Sequence, residues 1–122
     1  MRWRKEDGQS TVEFALVLPL LILLIFGMMD FGWLFYNKIA INNASREGAR
    51  YAVVHCGDFG YNDEQTKLHV KNYMPTATVT ISSDVQDITV TVKRNVEVLT
   101  GVSQVFIGET VPIQASCTMR KE

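Results

Sequence analysis

The sequence predicts an α+β fold in which a long N-terminal helix packs, by its second half, on a small antiparallel sheet of about three strands. Two patterns indicate this fold class. An apolar run near the N-terminus continues into residues 37–55, which hold no proline and a single glycine, as expected of one long helix. From Thr76 onward the apolar residues alternate with polar ones, which is typical of half-buried strands.

The apolar run is long enough to cross a membrane. Glu13 and Asp30 are its only charges between residues 12 and 36. A bilayer core of about 30 Å needs about 20 helical residues, which this run supplies. A chain of 122 residues is too small to bury a helix that is apolar on every face. The run therefore predicts a single membrane-spanning helix rather than a soluble core helix.

The residues that flank the run argue against a cleaved secretory signal and set an orientation. No small-residue cleavage site follows the apolar core. Aromatic residues follow it instead, in a pattern typical of the membrane interface: Phe31, Trp33, Phe35 and Tyr36. Arg2, Arg4 and Lys5 precede the run, and basic residues of this kind stay cytoplasmic. We therefore expect residues 37–122 to form an extracytoplasmic α+β domain.

Beyond the membrane, small residues recur every four positions at Ala40, Ala44, Gly48 and Ala52. This stripe would lie on one face of a continuous helix over residues 10–54 and would let another backbone approach closely. It could pack on the protein's own sheet, which we favour, or on a helix of another subunit. Arg46, Glu47 and Arg50 lie on the more polar side and are spaced for ion pairing.

The C-terminal part predicts a short helix and three strands. The helix covers residues 62–73, is capped by Asn62 or Asp63, turns Leu68 and Val70 inward, and ends before Pro75. Strands are predicted at 76–81 and 88–98, followed by a connection over 100–108 with a short apolar stretch, and a third strand over 110–119. Pro112 near the start of the third strand indicates an edge position.

The two cysteines, Cys56 and Cys117, do not have the spacing of a zinc or haem motif. They are either two free thiols or, if the domain is exported, a disulfide between the end of the long helix and the last strand. Such a bond would close a loop of roughly 60 residues, worth about 4 kcal/mol in the chain-entropy model.

The residues around Glu13 suggest a function. A carboxylate at the edge of an apolar span is costly unless it is paired, although it could also simply stabilise the start of the helix. Gly8 ends a short charged leader, and Glu13 follows five residues later. This arrangement resembles the type IV pilin superfamily. Residues 8–53, with GQSTVEFAL at the start and ASREGARYAV at the end, are similar to its TadE-like branch of tight-adherence pseudopilins.

The resemblance implies three segments and a set of partners. Residues 1–8 would be a leader that a prepilin peptidase removes between Gly8 and Gln9, and residues 9–36 a transmembrane and assembly helix. Glu13, beside Phe14, would then meet the new amino group of a neighbouring subunit. Many pilins begin with an aromatic residue or methionine after the cut, whereas this chain has Gln9. The implied partners are other pilin or pseudopilin subunits, the prepilin peptidase, and an assembly ATPase with its membrane platform.

Other function classes receive less support. The sequence has no nucleophile motif, phosphate-binding glycine loop or metal-ligand cluster, so we expect no enzymatic activity, no cofactor and no metal. A net charge of -1 does not favour a nucleic-acid partner. The remaining alternatives are an uncleaved single-pass membrane protein with an extracellular binding domain, an adhesin with an incidental anchor, and a major rather than minor pilin subunit.

Overall fold

A computed structural model describes residues 5–121, with side chains described from Gly8 onward. The side chains of Arg2, Arg4 and Lys5, the predicted basic cluster, lie outside the described residues. The elements, in chain order, are α1 (Lys5–His55), α2 (Asp63–Tyr73), β1 (Thr78–Ser83), β2 (Asp87–Glu97), α3 (Gly101–Ile107) and β3 (Thr110–Arg120). This is the predicted α+β, pilin-like arrangement of a long N-terminal helix on a three-stranded antiparallel sheet.

Helix α1 is continuous over 51 residues, or about 77 Å at 1.5 Å per residue. The predicted single long helix is therefore confirmed. Pro19 lies inside it, and the helix continues on both sides of this residue. Among the described residues 8–55 of α1, those in the second half are the ones buried by the rest of the domain, through contacts with α2, α3, β2 and β3.

The sheet is an antiparallel meander with the order β1-β2-β3. The central strand β2 places Val90 opposite Ile81 of β1 and opposite Cys117 of β3. Strand β3 lies at the edge, as Pro112 predicted. Alternate residues of β2 are buried against α1, and they form the centre of the core: Ile88, Val90 and Val92.

The small-residue stripe of α1 faces the protein's own core, as the favoured alternative predicted. Ala44, Gly48 and Ala52 are all buried. A Cβ atom at Gly48 would lie 2.6 Å from Val70 Cγ2 and 3.1 Å from Val90 Cγ1. Gly48 therefore lies where α1 closely approaches both α2 and β2, and a larger residue there would push these elements apart.

Helix α2 begins as predicted but faces differently. Asn62 is its N-cap, and its side chain accepts a hydrogen bond from the Glu64 backbone N–H at 3.4 Å. Val70 is buried, whereas Leu68 is 65% exposed, so the prediction for Leu68 was wrong. Residues two apart in a helix point about 200° away from each other, so Leu68 and Val70 cannot both face the core. Thr66, one turn before Val70, is buried instead.

Two other predictions need correction. Residues 101–107, predicted only as a connection between strands, form the helix α3. Among the described ion pairs, Glu47 faces His69 of α2 at 3.8 Å, rather than the neighbouring arginines of α1. The ring of His69 is also stacked on Tyr51. The polar side of α1 thus contacts α2, because α2 folds back along it.

Candidate functional site

The first turns of α1 hold the residues that the sequence indicated as functional. Gly8, Gln9, Glu13 and Phe14 are all exposed. Gln9 Nε2 donates a hydrogen bond to Glu13 Oε1 at 3.4 Å. Residues four apart share one helix face, and helical side chains point back toward the N-terminus. The Glu13 carboxylate therefore lies beside position 9, the residue that a cut after Gly8 would make the N-terminus.

Gly8 has no packing role within the described chain. A Cβ atom at this position would meet nothing within 4 Å. Glycine inside a helix costs about 1 kcal/mol relative to alanine. A side chain at position 8 would therefore collide with no described part of the molecule, whereas one at position 48 would collide with Val70. A requirement for glycine at this position would have to come from another molecule.

The first half of α1 is not covered by the folded domain. Every described residue from 8 to 29 is exposed, including large apolar residues such as Leu16, Leu20 and Met28. This helix is long and apolar enough to cross a membrane, and none of its apolar window is buried. An exposed apolar surface of this extent normally contacts lipid or another protein.

Coverage of α1 begins at Asp30, which is only 5% exposed. Its carboxylate accepts a hydrogen bond from the Thr100 backbone N–H at 3.1 Å and from the hydroxyl groups of Thr100 and Ser103. One turn later, Trp33 Nε1 donates to the Glu97 carbonyl oxygen at 3.2 Å. From the sequence, Asp30 was only a second charge in the apolar run. Its partner lies 70 residues away, so no local pattern pointed to this junction.

These contacts fix the direction of the sheet relative to α1. As the contact positions on α1 move toward the N-terminus, their partners move toward the C-terminus, along β2 and into the segment after it. The pairs are Gly48 with Val90, Asn37 with Arg94, Trp33 with Glu97, and Asp30 with Thr100. Strand β2 therefore runs antiparallel to α1. The β2–β3 connection, which includes α3, lies at the end of the domain nearest the exposed half of α1.

Cys56 and Cys117 are half-buried and pack against the same core cluster. They are present as free thiols, and Cys56 Sγ donates a hydrogen bond to the Val53 carbonyl oxygen at 3.1 Å. Cys117 lies on β3, opposite Val90. A disulfide between them stays a prediction.

No group of three or more histidine, cysteine, aspartate or glutamate side chains suited to a metal ion occurs in the described part of the chain. The described features of the N-terminal segment are thus an exposed apolar surface, one carboxylate and a glycine without a packing role. An exposed apolar surface of this kind is suited to contacts with lipid or with another protein.

The comparisons with known proteins point to the same segment. A family model described as TadE-like protein matches residues 8–50, which lie entirely within α1. The matched range includes Gly8, Glu13, Asp30 and Gly48, and it leaves α2, α3 and the sheet outside. No curated protein and no solved structure matches the chain. Over residues 8–50, the chain is therefore similar to the TadE-like protein family.

Proposed function

We propose that this chain is a minor pilin-like subunit, processed by a prepilin peptidase after Gly8, that takes part in assembling a tight-adherence pilus of the type IV class. The main support is the first half of α1: it is apolar, uncovered by its own domain, and matches the TadE-like family from Gly8 onward. A structural subunit needs this surface for contacts with lipid and with other helices.

The membrane stage of this proposal agrees with the length of the uncovered helix. Residues 9–29, before the first domain contact at Asp30, span about 32 Å as a helix, close to the thickness of a bilayer core. We propose that, of the transmembrane and assembly helix over residues 9–36, the part within the bilayer core is 9–29. The N-terminus would lie in the cytoplasm, and residues 37–122 would form the extracytoplasmic domain.

The assembly stage would use the same surface a second time. Once Gly8 is removed, Gln9 carries a free amino group. In a filament whose subunits are stacked with a rise, this group can meet Glu13 of a neighbour. The described contact of Glu13, a long hydrogen bond to the neutral Gln9 amide, leaves the carboxylate able to bind an ammonium group. In apolar surroundings an unpaired carboxylate is costly, so pairing would favour the correct register between subunits.

The proposal names partners and a role. The partners are the membrane, other pilin or pseudopilin subunits, the prepilin peptidase, and an assembly ATPase with its membrane platform. The role is structural rather than catalytic, without a cofactor, and minor rather than major, as the resemblance to TadE-like pseudopilins implies. A major pilin subunit and an uncleaved single-pass binding protein remain the alternatives that the following experiments distinguish.

The processing step is tested with Gly8→Phe. A bulky side chain should keep the backbone out of the protease cleft, so the variant should retain residues 1–8 in cells that have an active prepilin peptidase. Gly27→Phe is the matched control, because position 27 lies in the same helix and is equally open. Intact mass of the membrane form distinguishes the two states. Normal processing of Gly8→Phe would refute the site.

The assembly step is tested with Glu13→Ala. The variant should enter the membrane as well as the wild type, because the change removes a charge from the edge of an apolar span. Filaments sheared from the cells should be strongly reduced. Glu64→Ala is the control, since Glu64 is an exposed glutamate of α2 that pairs only with Lys67 among the described ion pairs. Wild-type filament yield from Glu13→Ala would contradict the pairing argument.

A further inference from the structure

The outer domain has a concentration of exposed apolar side chains in and next to α3. Among the described residues outside α1, nine large apolar ones are exposed, and five of these fall within residues 99–107: Leu99, Val102, Val105, Phe106 and Ile107. Val105 and Phe106 are 82% and 79% exposed. Residues 98–108 contain no charge. This is unusual for a surface helix, which normally presents polar residues to water.

The polar side chains of α3 are turned toward the protein instead. Ser103 donates a hydrogen bond to the Asp30 carboxylate, and Gln104 Nε2 donates to the Val98 carbonyl oxygen at 3.3 Å. Thr100, which precedes the helix, also donates to Asp30. The polar groups are thus used within the domain, and the apolar ones face outward. Such an orientation is unfavourable in water and favourable against hydrocarbon.

The position of α3 indicates what lies against it. Asp30 is the first residue of α1 that the domain covers, and it directly follows the uncharged stretch of residues 14–29. Because Asp30 binds the start of α3, this helix lies level with the end of the uncovered half of α1. Phe31 and Phe35 of α1, exposed by 71% and 59%, lie close to the same level. The exposed apolar side chains of α3 therefore lie at the level where the uncovered apolar half of α1 ends.

We propose that α3 is a second membrane contact: a short interfacial helix whose Val105, Phe106 and Ile107 side chains lie in the lipid surface where α1 leaves the bilayer. This inference rests on the proposed membrane anchoring of α1. The lipid surface is the occupant because the level of Asp30 is where a span over residues 9–29 ends. Together, α1 and α3 would hold the domain at a fixed height and tilt, and α3 must leave the lipid when the subunit is extracted into a filament.

The test uses the full chain in phosphatidylcholine vesicles, with a tryptophan as a depth reporter. Phe106→Trp is compared with Phe59→Trp, in a background where Trp3 and Trp33 are replaced by phenylalanine. Phe59 is the matched control because it is fully exposed in the turn after α1, at the opposite end of the domain. Lipids brominated on the acyl chain near the headgroup quench tryptophan that lies within the interface. Val105→Trp serves as a second reporter if Phe106→Trp does not fold.

We expect brominated lipid to reduce the fluorescence of the reporter at 106 at least about twofold and to leave the reporter at 59 nearly unchanged, as for an interfacial helix. Equal, weak quenching at both positions would overturn the proposal. So would an emission shift at 106 that grows with the protein-to-lipid ratio without quenching, because that outcome indicates a second copy as the partner. Vesicle flotation is measured on the same samples. A chain that floats but is not quenched refutes only the role of α3, whereas a chain that does not float refutes the anchor and the α3 contact together.

Discussion

Replacing Asp30 with alanine should release α3 from α1 while the sheet stays folded. The change removes the acceptor for three hydrogen bonds, from the Thr100 N–H and from the hydroxyl groups of Thr100 and Ser103. A hydrogen bond to a charged group contributes about 1.5–3 kcal/mol. Thr100 and Ser103 are only half-buried, so water replaces part of this loss. We therefore expect the free energy needed to open α3 to fall by about 2–4 kcal/mol in the variant. This is less than the sum of three such bonds.

Amide hydrogen exchange in detergent micelles measures this opening directly. The amides of Gln104 and Gly108 are hydrogen-bonded in α3, to the carbonyl oxygens of Thr100 and Gln104. A loss of 2 kcal/mol corresponds to exchange that is about 30-fold faster at these amides, with the central strand unaffected. The control is Asp84→Ala, because the Asp84 carboxylate also accepts a backbone N–H, but in the exposed turn between β1 and β2. Unchanged exchange of α3 in Asp30→Ala would refute the role of this junction.

Two further predictions concern the core and the cysteines. Gly48→Ala should lower the free energy of unfolding by about 1–2 kcal/mol, because the added methyl group meets the stiff, buried Val70 and this outweighs the gain in helix propensity. Thermal unfolding should show this against Gly32→Ala, whose added methyl meets nothing within 4 Å; a Gly48→Ala protein as stable as this control would contradict the packing argument. If Cys56 and Cys117 form a disulfide in the exported domain, a maleimide should label neither before reduction and both afterwards. Rapid labelling of both thiols without reductant would show that no disulfide had formed.

Much of the fold could be predicted because the deciding signals are local. The long helix follows from residues 9–55, where the one proline lies in the apolar half. The N-cap at Asn62 and the end of α2 before Pro75 follow from residue type alone. The strands follow from alternation, and the edge position of β3 follows from Pro112.

The missed features depend on contacts between residues far apart in the chain. The polar side chains of Gly101–Ile107 bind Asp30 and Val98, and its apolar side chains are exposed. This segment therefore lacks the amphipathic pattern that predicts a surface helix. In the sequence, Asp30 is a single charge in an apolar run. Its role depends on Thr100 and Ser103, which lie at least 70 residues away in the chain. Leu68 was misassigned for a different reason, namely that helical geometry forbids residues two apart from sharing a face.

The residues of the N-terminal segment were identified from the sequence, through the spacing of Gly8 and Glu13 and the resemblance that this spacing supports. The structure adds that Gly8 is open, that Glu13 lies beside Gln9, and that the apolar half of α1 is uncovered. These residues are therefore accessible to other molecules. The partner contacts themselves are tested by the variants at Gly8 and Glu13.

The most direct test of the proposed function is the intact mass of the chain isolated from the membranes of cells with an active prepilin peptidase. The account predicts a mature chain that begins at Gln9 and lacks residues 1–8. A chain that retains residues 1–8 under these conditions would contradict the pilin-like role and favour an uncleaved single-pass membrane protein.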